Sequence, residues 1–84
     1  MAKVLLTAEG QADFDALPVT VQARVVGVLL GLEAWPAVSG AKPLRGEWTG
    51  CSRIRTGDWR VIIRVVRPDV LVVRIRHRKD VYED

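Results

Sequence analysis

The sequence predicts an α+β fold in which two N-terminal helices pack on one face of a small, twisted, mainly antiparallel sheet. Three observations predict it. A short aliphatic segment opens the chain, apolar residues then recur at helical spacing, and three β-branched runs separated by tight turns follow. The predicted order is β-α-α-β-β-β, and residues 1–84 form a single domain.

The first strand is predicted at Val4, Leu5 and Leu6. Thr7 follows, and its hydroxyl can accept an unpaired backbone N–H at the start of a helix over residues 8–16. We expect Ala12 and Leu17 to point inward, and Asp13 and Asp15 to point outward.

The second helix follows Pro18, whose missing N–H is no loss in a first helical turn. Pro36 is expected to end it. Its apolar face is defined by six residues at helical spacing: Val21, Val25, Val28, Leu29, Leu32 and Trp35. Gly27 and Gly31 indicate either close packing against the sheet or simple tolerance.

Residues 36–50 are rich in Pro and Gly, so we expect a loop with little regular structure. The three remaining strands are predicted at residues 52–55, 59–66 and 70–76. Tight turns at Gly57-Asp58 and Pro68-Asp69 would join them into an antiparallel meander.

Charge is distributed unevenly along the chain, whose formal net charge is +3. Residues 1–41 carry two Lys or Arg against four acids, and residues 42–84 carry eleven against six. The basic half indicates nucleic acid, an anionic surface or an acidic protein as a partner. The single Cys51 fits a reducing cytoplasm, and we expect it to be a packed residue. No apolar run reaches the length of a membrane span, so no membrane partner is expected.

Nine arginines lie between Arg45 and Arg78, most of them on predicted strands. Because side chains alternate across a strand, each strand should have one apolar side and one arginine-bearing side. The arginine-bearing sides are predicted to carry Arg53 and Arg55, then Arg60 and Arg64 with Ile62, then Arg74, Arg76 and Arg78 with Val72, opposite Leu71, Val73 and Ile75.

Two interpretations of these arginines are open. Exposed arginines on strands are often solvated residues whose stems cover apolar surface, and Arg67 fits that description. If strand register aligns the whole set, their mutual repulsion favours an anionic partner that relieves it.

Three stretches, residues 42–46 (KPLRG), 50–62 (GCSRIRTGDWRVI) and 77–82 (HRKDVY), resemble the RelE toxins of the RelE/ParE superfamily. The resemblance covers about half the chain by motif. Several positions depart from the family pattern, because Ser52 replaces an aromatic residue, Arg53 and Arg55 replace lysines, Ile63 replaces a tyrosine and Arg76 replaces a small residue.

The resemblance implies a toxin of a type II toxin–antitoxin pair that cleaves mRNA in the ribosomal A site without a metal or other cofactor. It implies two partners. One is an acidic RelB-like antitoxin, which would form a hetero-oligomer with the toxin, and the other is mRNA on the ribosome. The matching catalytic residues are Arg53, Arg55, Arg60, Arg78 and Tyr82. The basic residues assigned to substrate binding are Lys42, Arg45, Arg64, Arg74, Arg76 and His77.

The chemistry can also be argued from the residues. Cleavage of RNA by its own 2′-hydroxyl needs a deprotonated hydroxyl, a stabilised phosphorane and a protonated 5′-oxygen. Arginines can stabilise the charge but do not exchange protons, which leaves Tyr82 and His77, with Glu47, Asp80 and Glu83 as weaker candidates. His77 is also a candidate for packing. Trp48 and Trp59 could stack on RNA, but Trp59 shares parity with Val61 and Ile63, which favours core packing for it.

Two other functions fit the same sequence. A ParE-like toxin has the same fold, lacks nuclease activity and inhibits DNA gyrase by protein contact. A passive, basic RNA-binding module would use the arginines alone. The joint presence of the arginines and Tyr82 favours the nuclease.

Overall fold

The computed structural model describes residues 1–81, so the predictions for Tyr82 and Glu83 lie outside the described residues. The elements in chain order are β1 (Lys3–Leu6), α1 (Ala8–Asp15), α2 (Val19–Leu32), β2 (Lys42–Pro43), β3 (Ser52–Thr56), β4 (Trp59–Val66) and β5 (Asp69–His77). Short 3-10 turns cover Gly46–Trp48 and Arg78–Asp80. The predicted α+β class and element order are confirmed, with β2 as an addition inside the predicted loop.

The five strands form one sheet in the order β1-β5-β4-β3-β2. The β1 and β5 strands are parallel, whereas the other neighbouring strands are antiparallel because tight turns join β3 to β4 and β4 to β5. The predicted turn residues Gly57 and Asp58 lie between β3 and β4. The α2 helix ends at Leu32, before Pro36, and a series of turns covers the residues between them.

The main core lies between the helices and one face of the sheet, called here the helix face. The helices and the connection between them contribute Leu17, Val21, Val25 and Leu32, and the sheet contributes Val61, Ile63, Val70, Val72 and Ile75. Trp59 packs against this core, as predicted. Burying each such side chain stabilises the fold by about 1.5–3 kcal/mol, so this layer holds the helices on the sheet. Within residues 1–81, no helix combines the length and apolar character needed to cross a bilayer.

A β-bulge in β5 reverses the predicted facing of its first half. Ile62 pairs with Arg74 and Ile63 pairs with Val72, which leaves Val73 as an extra residue. Val72 therefore lies in the helix-face core, whereas Val73 packs on the other face of the sheet. The prediction that Val72 shares a face with the arginines was wrong, because a strict two-residue period does not hold across a bulge.

The α1 helix covers the part of β5 that β1 does not reach. The parallel pairing ends at Leu6 and Val72, and the N–H of Ile75 then donates to a carboxylate oxygen of Asp13 at 2.9 Å. The same carboxylate accepts from Nε of Arg74 at 2.8 Å. Asp13 is thus turned towards the sheet and Ala12 is exposed, the reverse of the predicted orientation. An acceptor is suited to this position because β5 presents a backbone donor beyond the end of its pairing with β1.

A second, smaller apolar cluster covers part of the opposite face, which is called here the arginine face. It consists of Leu44, Cys51, Ile62 and Val81, with Trp48 and Val73 packed against it. Residues 36–50 thus fold over the sheet, and the expectation of an irregular loop there was incomplete. Cys51 is 5% exposed and is a free thiol, as predicted.

The glycines of the two helices have different surroundings. A Cβ atom at Gly10 would clash with the carbonyl oxygen of Val72, so α1 and β5 are in backbone contact at this point. Thr7 reinforces the contact, because its hydroxyl donates to the Val72 carbonyl at 3.2 Å and accepts from the Gly10 N–H at 3.1 Å. Apart from its chain neighbours and the backbone of its own helix, a methyl group added at Gly27 or Gly31 would meet no atom of residues 1–81 within 4 Å, so tolerance rather than close packing explains both.

We expect Gly10→Ala to lower the free energy of unfolding by about 2 kcal/mol, because the new methyl group must push α1 away from β5. Urea denaturation followed by circular dichroism measures the change. Gly27→Ala is the matched control. It adds the same methyl group to open space and should raise stability by up to about 1 kcal/mol through helix propensity. Equal effects of the two substitutions would contradict the backbone contact.

The Asp13 carboxyl should make stability depend on pH. Partial burial raises its pKa, but hydrogen bonds from Arg74 and the Ile75 N–H, together with the positive charges of Arg74 and Arg76, outweigh burial and lower the pKa. A lowered pKa in the folded state stabilises the protein above the unfolded-state value, and this contribution is lost as pH falls through the folded-state pKa.

We therefore expect Asp13→Asn to cost about 2 kcal/mol at neutral pH and progressively less below about pH 4. Urea unfolding of both proteins across this pH range provides the measurement. Asp15→Asn, an exposed change on the same helix, is the control and should have little effect at any pH. A constant difference between Asp13→Asn and the parent protein from pH 7 to about pH 3 would contradict the assignment.

Candidate nucleic-acid interface

Strand register places three arginines side by side on the arginine face. Arg55 of β3 is paired with Arg60 of β4, and Arg60 is paired with Arg76 of β5. Directly opposed residues in antiparallel strands have Cβ atoms about 4.5–5.5 Å apart. Arg55, Arg60 and Arg76 are called here the arginine row. The row meets the condition on which the predicted cationic surface depended, that register aligns arginines from neighbouring strands.

Arg60 is the central and least exposed member of the row, with 7% of its surface accessible. Its Nη1 donates to the backbone carbonyls of Gly57 and Trp59, each at 3.1 Å. These bonds hold the guanidinium close to the end of the sheet. Arg55 is exposed and Arg76 is partly exposed, so these two flanking cations are accessible to an anion.

A second set of polar contacts surrounds Arg53, which lies on β3 two residues before Arg55. Lys42 of β2 is paired with Arg53 of β3, and Arg53 is paired with Ile62. Arg53 is 7% exposed, and its Nη1 donates to the Gly40 carbonyl at 3.1 Å. Arg53 thus ties the 36–50 segment to the sheet, while Lys42 remains exposed beside it.

Two other predicted substrate-binding residues surround the second cluster. Arg64 is exposed on β4, and its Nη2 lies 3.7 Å from the sulfur of Cys51. Arg45 is exposed just before the 3-10 turn. Trp48 in that turn packs against the cluster, which favours a structural role over stacking on RNA.

Arg74 does not join the arginine row. Its Nε and Nη2 donate to the Asp13 carboxylate at 2.8 and 3.4 Å, and this hydrogen bonding to the carboxylate is the main reason that the pKa of Arg74 is raised. No sequence pattern indicated this pairing, because the two residues are 61 positions apart. Arg74 therefore belongs to the contact between α1 and β5.

Arg78 lies at the end of the sheet, next to the turn formed by Gly57 and Asp58, called here the 57–58 turn. Its backbone N–H donates to the Asp58 carbonyl at 2.7 Å, and its Nε lies 3.6 Å from the Asp58 carboxylate. Both side chains of this ion pair are more than 60% exposed, so the pair is weak. Arg78 was predicted to be catalytic and Arg76 only to bind substrate. Strand register places Arg76, and not Arg78, in the arginine row.

His77 lies on the helix face, across the sheet from the row. Its ring packs edge-on against Trp59, with ring centroids 5.3 Å apart. Its Nδ1 accepts the N–H of Lys79 at 3.3 Å, so the neutral ring carries its hydrogen on Nε2. Of the two interpretations of His77, the structure favours packing.

The row can bind one anion through several guanidinium groups. Like charges directly opposite on a sheet repel one another, and a phosphate between them would replace repulsion by charge-assisted hydrogen bonds. Arginine suits this task because its planar fork matches two phosphate oxygens. The same groups could stabilise the extra negative charge of a pentacoordinate phosphorane.

The fold is shared with a class of known toxins. Residues 4–82 match the family model described as the ParE toxin of the type II toxin–antitoxin system parDE. The toxin–antitoxin complex RelBE2 from Mycobacterium tuberculosis contains a similar chain, with 32% sequence identity, a TM-score of 0.79 and coverage of 94% of this chain and 93% of that chain.

Two further solved structures share the fold at lower identity. The isolated RelE toxin from E. coli is 18% identical, with a TM-score of 0.75 and coverage of 92% of this chain and 84% of that chain. The archaeal RelE–RelB complex from Pyrococcus horikoshii is 23% identical, with a TM-score of 0.76 and coverage of 95% of this chain and 98% of that chain. No curated protein sequence is significantly similar to this chain.

The chain therefore belongs to the ParE toxin family of type II toxin–antitoxin systems, within the RelE/ParE superfamily. The resemblance to RelE-type toxins found in the sequence is confirmed at this level.

We expect Arg55→Gln to raise the free energy of unfolding by about half a kcal/mol at low salt, because it removes one charge from the repelling row. The gain should shrink at about 0.5 M salt, where exposed charges are screened. Urea unfolding at both salt concentrations tests this. Arg67→Gln, an exposed arginine in the turn before Pro68, is the control for general charge reduction. A gain of the same size in both variants would contradict repulsion within the row.

Proposed function

We propose that this toxin is a ribosome-dependent endoribonuclease that cleaves mRNA in the A site by metal-independent attack of the 2′-hydroxyl. The observation that carries the proposal is the arginine row, in which Arg55, Arg60 and Arg76 are neighbours on three adjacent strands. Three permanent cations held on a rigid sheet suit a scissile phosphate whose negative charge increases in the transition state.

Each member of the row has a distinct part in this proposal. Arg60 is fixed by its bonds to the carbonyls of Gly57 and Trp59, so it provides a charge that does not reorganise during the reaction. Arg55 and Arg76 approach the phosphate from either side. Arg53 maintains the 36–50 segment beside the site through Gly40, which makes it a positioning residue.

Proton transfer must come from another side chain, because guanidinium groups remain protonated. Tyr82 is the proposed group. Its sequence neighbour Val81 is buried with Ile62 in the second cluster, and Ile62 lies on β4 two residues after Arg60. His77 is not assigned to this step, because its ring contacts Trp59 on the helix face.

The proposed partner that controls the toxin is a RelB-like antitoxin with an acidic segment. Solved relatives include complexes of RelE with RelB. An acidic segment would be attracted to the same cations as mRNA, and charge complementarity would speed its capture. Toxin and antitoxin would then form a hetero-oligomer in which the arginine face is covered.

The alternative function is inhibition of DNA gyrase by protein contact. The match to the ParE family model is the observation that favours it. Gyrase inhibition needs no phosphate site, so substitution of one exposed arginine in the row would not abolish toxicity by that route.

The test is induced expression in bacteria followed by mapping of mRNA 5′ ends. Cleavage within translated codons should appear soon after induction. Arg55→Ala and Tyr82→Phe should each reduce it by about a hundredfold or more, because each removes a group that acts in the transition state. Arg55 is exposed, so its replacement should leave the fold intact.

Arg67→Ala, which alters an exposed arginine in the β4–β5 turn, is the control and should cleave at the parental rate. Intact mRNA accompanied by double-strand DNA breaks would reject the nuclease in favour of gyrase inhibition. Cleavage that persists at the parental rate in Arg55→Ala would reject the role of the arginine row.

A further inference from the structure

We propose that the 57–58 turn carries a bound RNA strand onward from the arginine row, and that Arg24 of α2 binds the phosphate backbone of that strand beyond the turn. The proposal rests on the proposed RNA substrate and extends its path to the helix side of the sheet. Arg24 is not among the residues that the proposed function assigns to the site.

Three arginines from three different elements contact or closely approach this one turn. The Nη1 of Arg60 donates to the Gly57 carbonyl at 3.1 Å. The Nη1 of Arg24 lies 3.2 Å from the point that a Cβ of residue 57 would occupy. Arg78 contacts Asp58 through its backbone N–H and through its exposed ion pair. The positive charge of the row therefore continues around the end of the sheet.

The residue at position 57 explains how two guanidinium groups fit against one turn. Gly57 has a φ of 61°, in the left-handed region where a side chain is strained. The lack of a side chain also leaves the space beside the turn open for Arg24. A strand that crosses the turn would therefore pass cations on both sides of it.

The three cations differ in how far they are neutralised. Arg78 is paired with Asp58, although weakly because both are exposed. Arg24 is exposed, and no ion pair involves it within residues 1–81. Apart from Arg24, the remainder of α2 carries no charged side chain. An exposed charge of this kind is suited to a flexible polyanion, whose successive phosphates provide a repeated ligand.

RNA fits this path better than a compact anion. A single phosphate bound by the row would not reach the helix side of the sheet, whereas a strand longer than a few nucleotides would. Proteins that bind single strands combine such a cationic path with site sizes of about 4–16 nucleotides. Arg24 should therefore matter only for the longer ligands.

The test measures binding of single-stranded RNA by fluorescence anisotropy as a function of salt. The RNA carries 2′-O-methyl groups, so attack by a 2′-hydroxyl cannot occur, and two lengths are compared, about four and about twelve nucleotides. Arg24→Gln should bind the longer RNA about five-fold more weakly at about 0.1 M salt, and the slope of log affinity against log salt should decrease by about 0.7.

The same variant should bind the shorter RNA as the parent does. Arg24→Lys should restore most of the lost affinity, since a phosphate contact depends mainly on charge. Arg67→Gln is the matched control, because it removes an exposed arginine from the opposite end of β4 and should alter neither affinity nor slope. Arg55→Gln should weaken both lengths.

The outcomes separate this proposal from the proposed function. Parental binding by Arg24→Gln, with weakened binding by Arg55→Gln, would overturn the extended path and leave the nuclease site standing. Equal loss on both RNA lengths would place Arg24 within the row itself and overturn the extension. Poly-glutamate serves as a polyanion without phosphates. If Arg24→Gln weakens its binding as much as it weakens binding of the longer RNA, the attraction is unspecific and the extension is overturned as well. Failure of the parent to bind either RNA would overturn the extended path, whereas the ribosome-dependent nuclease is tested separately by the mapping of mRNA 5′ ends.

Discussion

Two tight turns fix the register of β3, β4 and β5, and the arrangement of charge on the sheet depends on that register. Because Thr56 is paired with Trp59 across the 57–58 turn, Arg55 must oppose Arg60. The pairing of β4 with β5 then places Arg76 on the other side of Arg60. A slip of one residue would turn each of these arginines into the helix-face core. The packing of Val61 and Ile75 against the helices therefore also determines where the cations lie.

The arginine face combines two opposing demands. Clustered guanidinium groups repel one another, so the face needs support that does not come from the charges themselves. The second cluster provides it, because Ile62 is fully buried beneath Leu44 and Val81 and secures the 36–50 segment to the sheet. Backbone carbonyls of Gly40, Gly57 and Trp59 accept hydrogen bonds from the two buried arginines. The site is thus built from apolar packing and backbone dipoles around a cationic centre.

Sequence patterns predicted much of this arrangement, and the failures have physical causes. Helical spacing and β-branched runs predicted the element order, and the cap at Thr7 was visible because it depends on local chemistry. The bulge at Val73 was not predictable from alternation, since a single extra residue leaves no mark on composition. The inward orientation of Asp13 follows from the Ile75 N–H that β5 presents beyond the end of β1, and the same carboxylate binds Arg74. Contacts between residues far apart in sequence decided which arginines are accessible.

For the candidate site too, the sequence predicted some features and missed others. Register confirmed that arginines from three strands align, but it placed Arg76 in the row and Arg78 at the 57–58 turn. The two-residue period had placed both on one face, and only the end of β5 at His77 separates them. His77 was open to two interpretations in the sequence, because parity alone does not reveal the Trp59 ring that it contacts.

The buried Cys51 has a practical consequence. The chain contains one cysteine, and its thiol lies beneath the layer formed by Leu44 and Val81, on the face that carries the arginines. Any movement that lifts this layer from the sheet would admit a small alkylating reagent to the sulfur. The unaltered protein thus contains a single chemical probe for opening of this face, and its labelling rate can be followed by mass spectrometry.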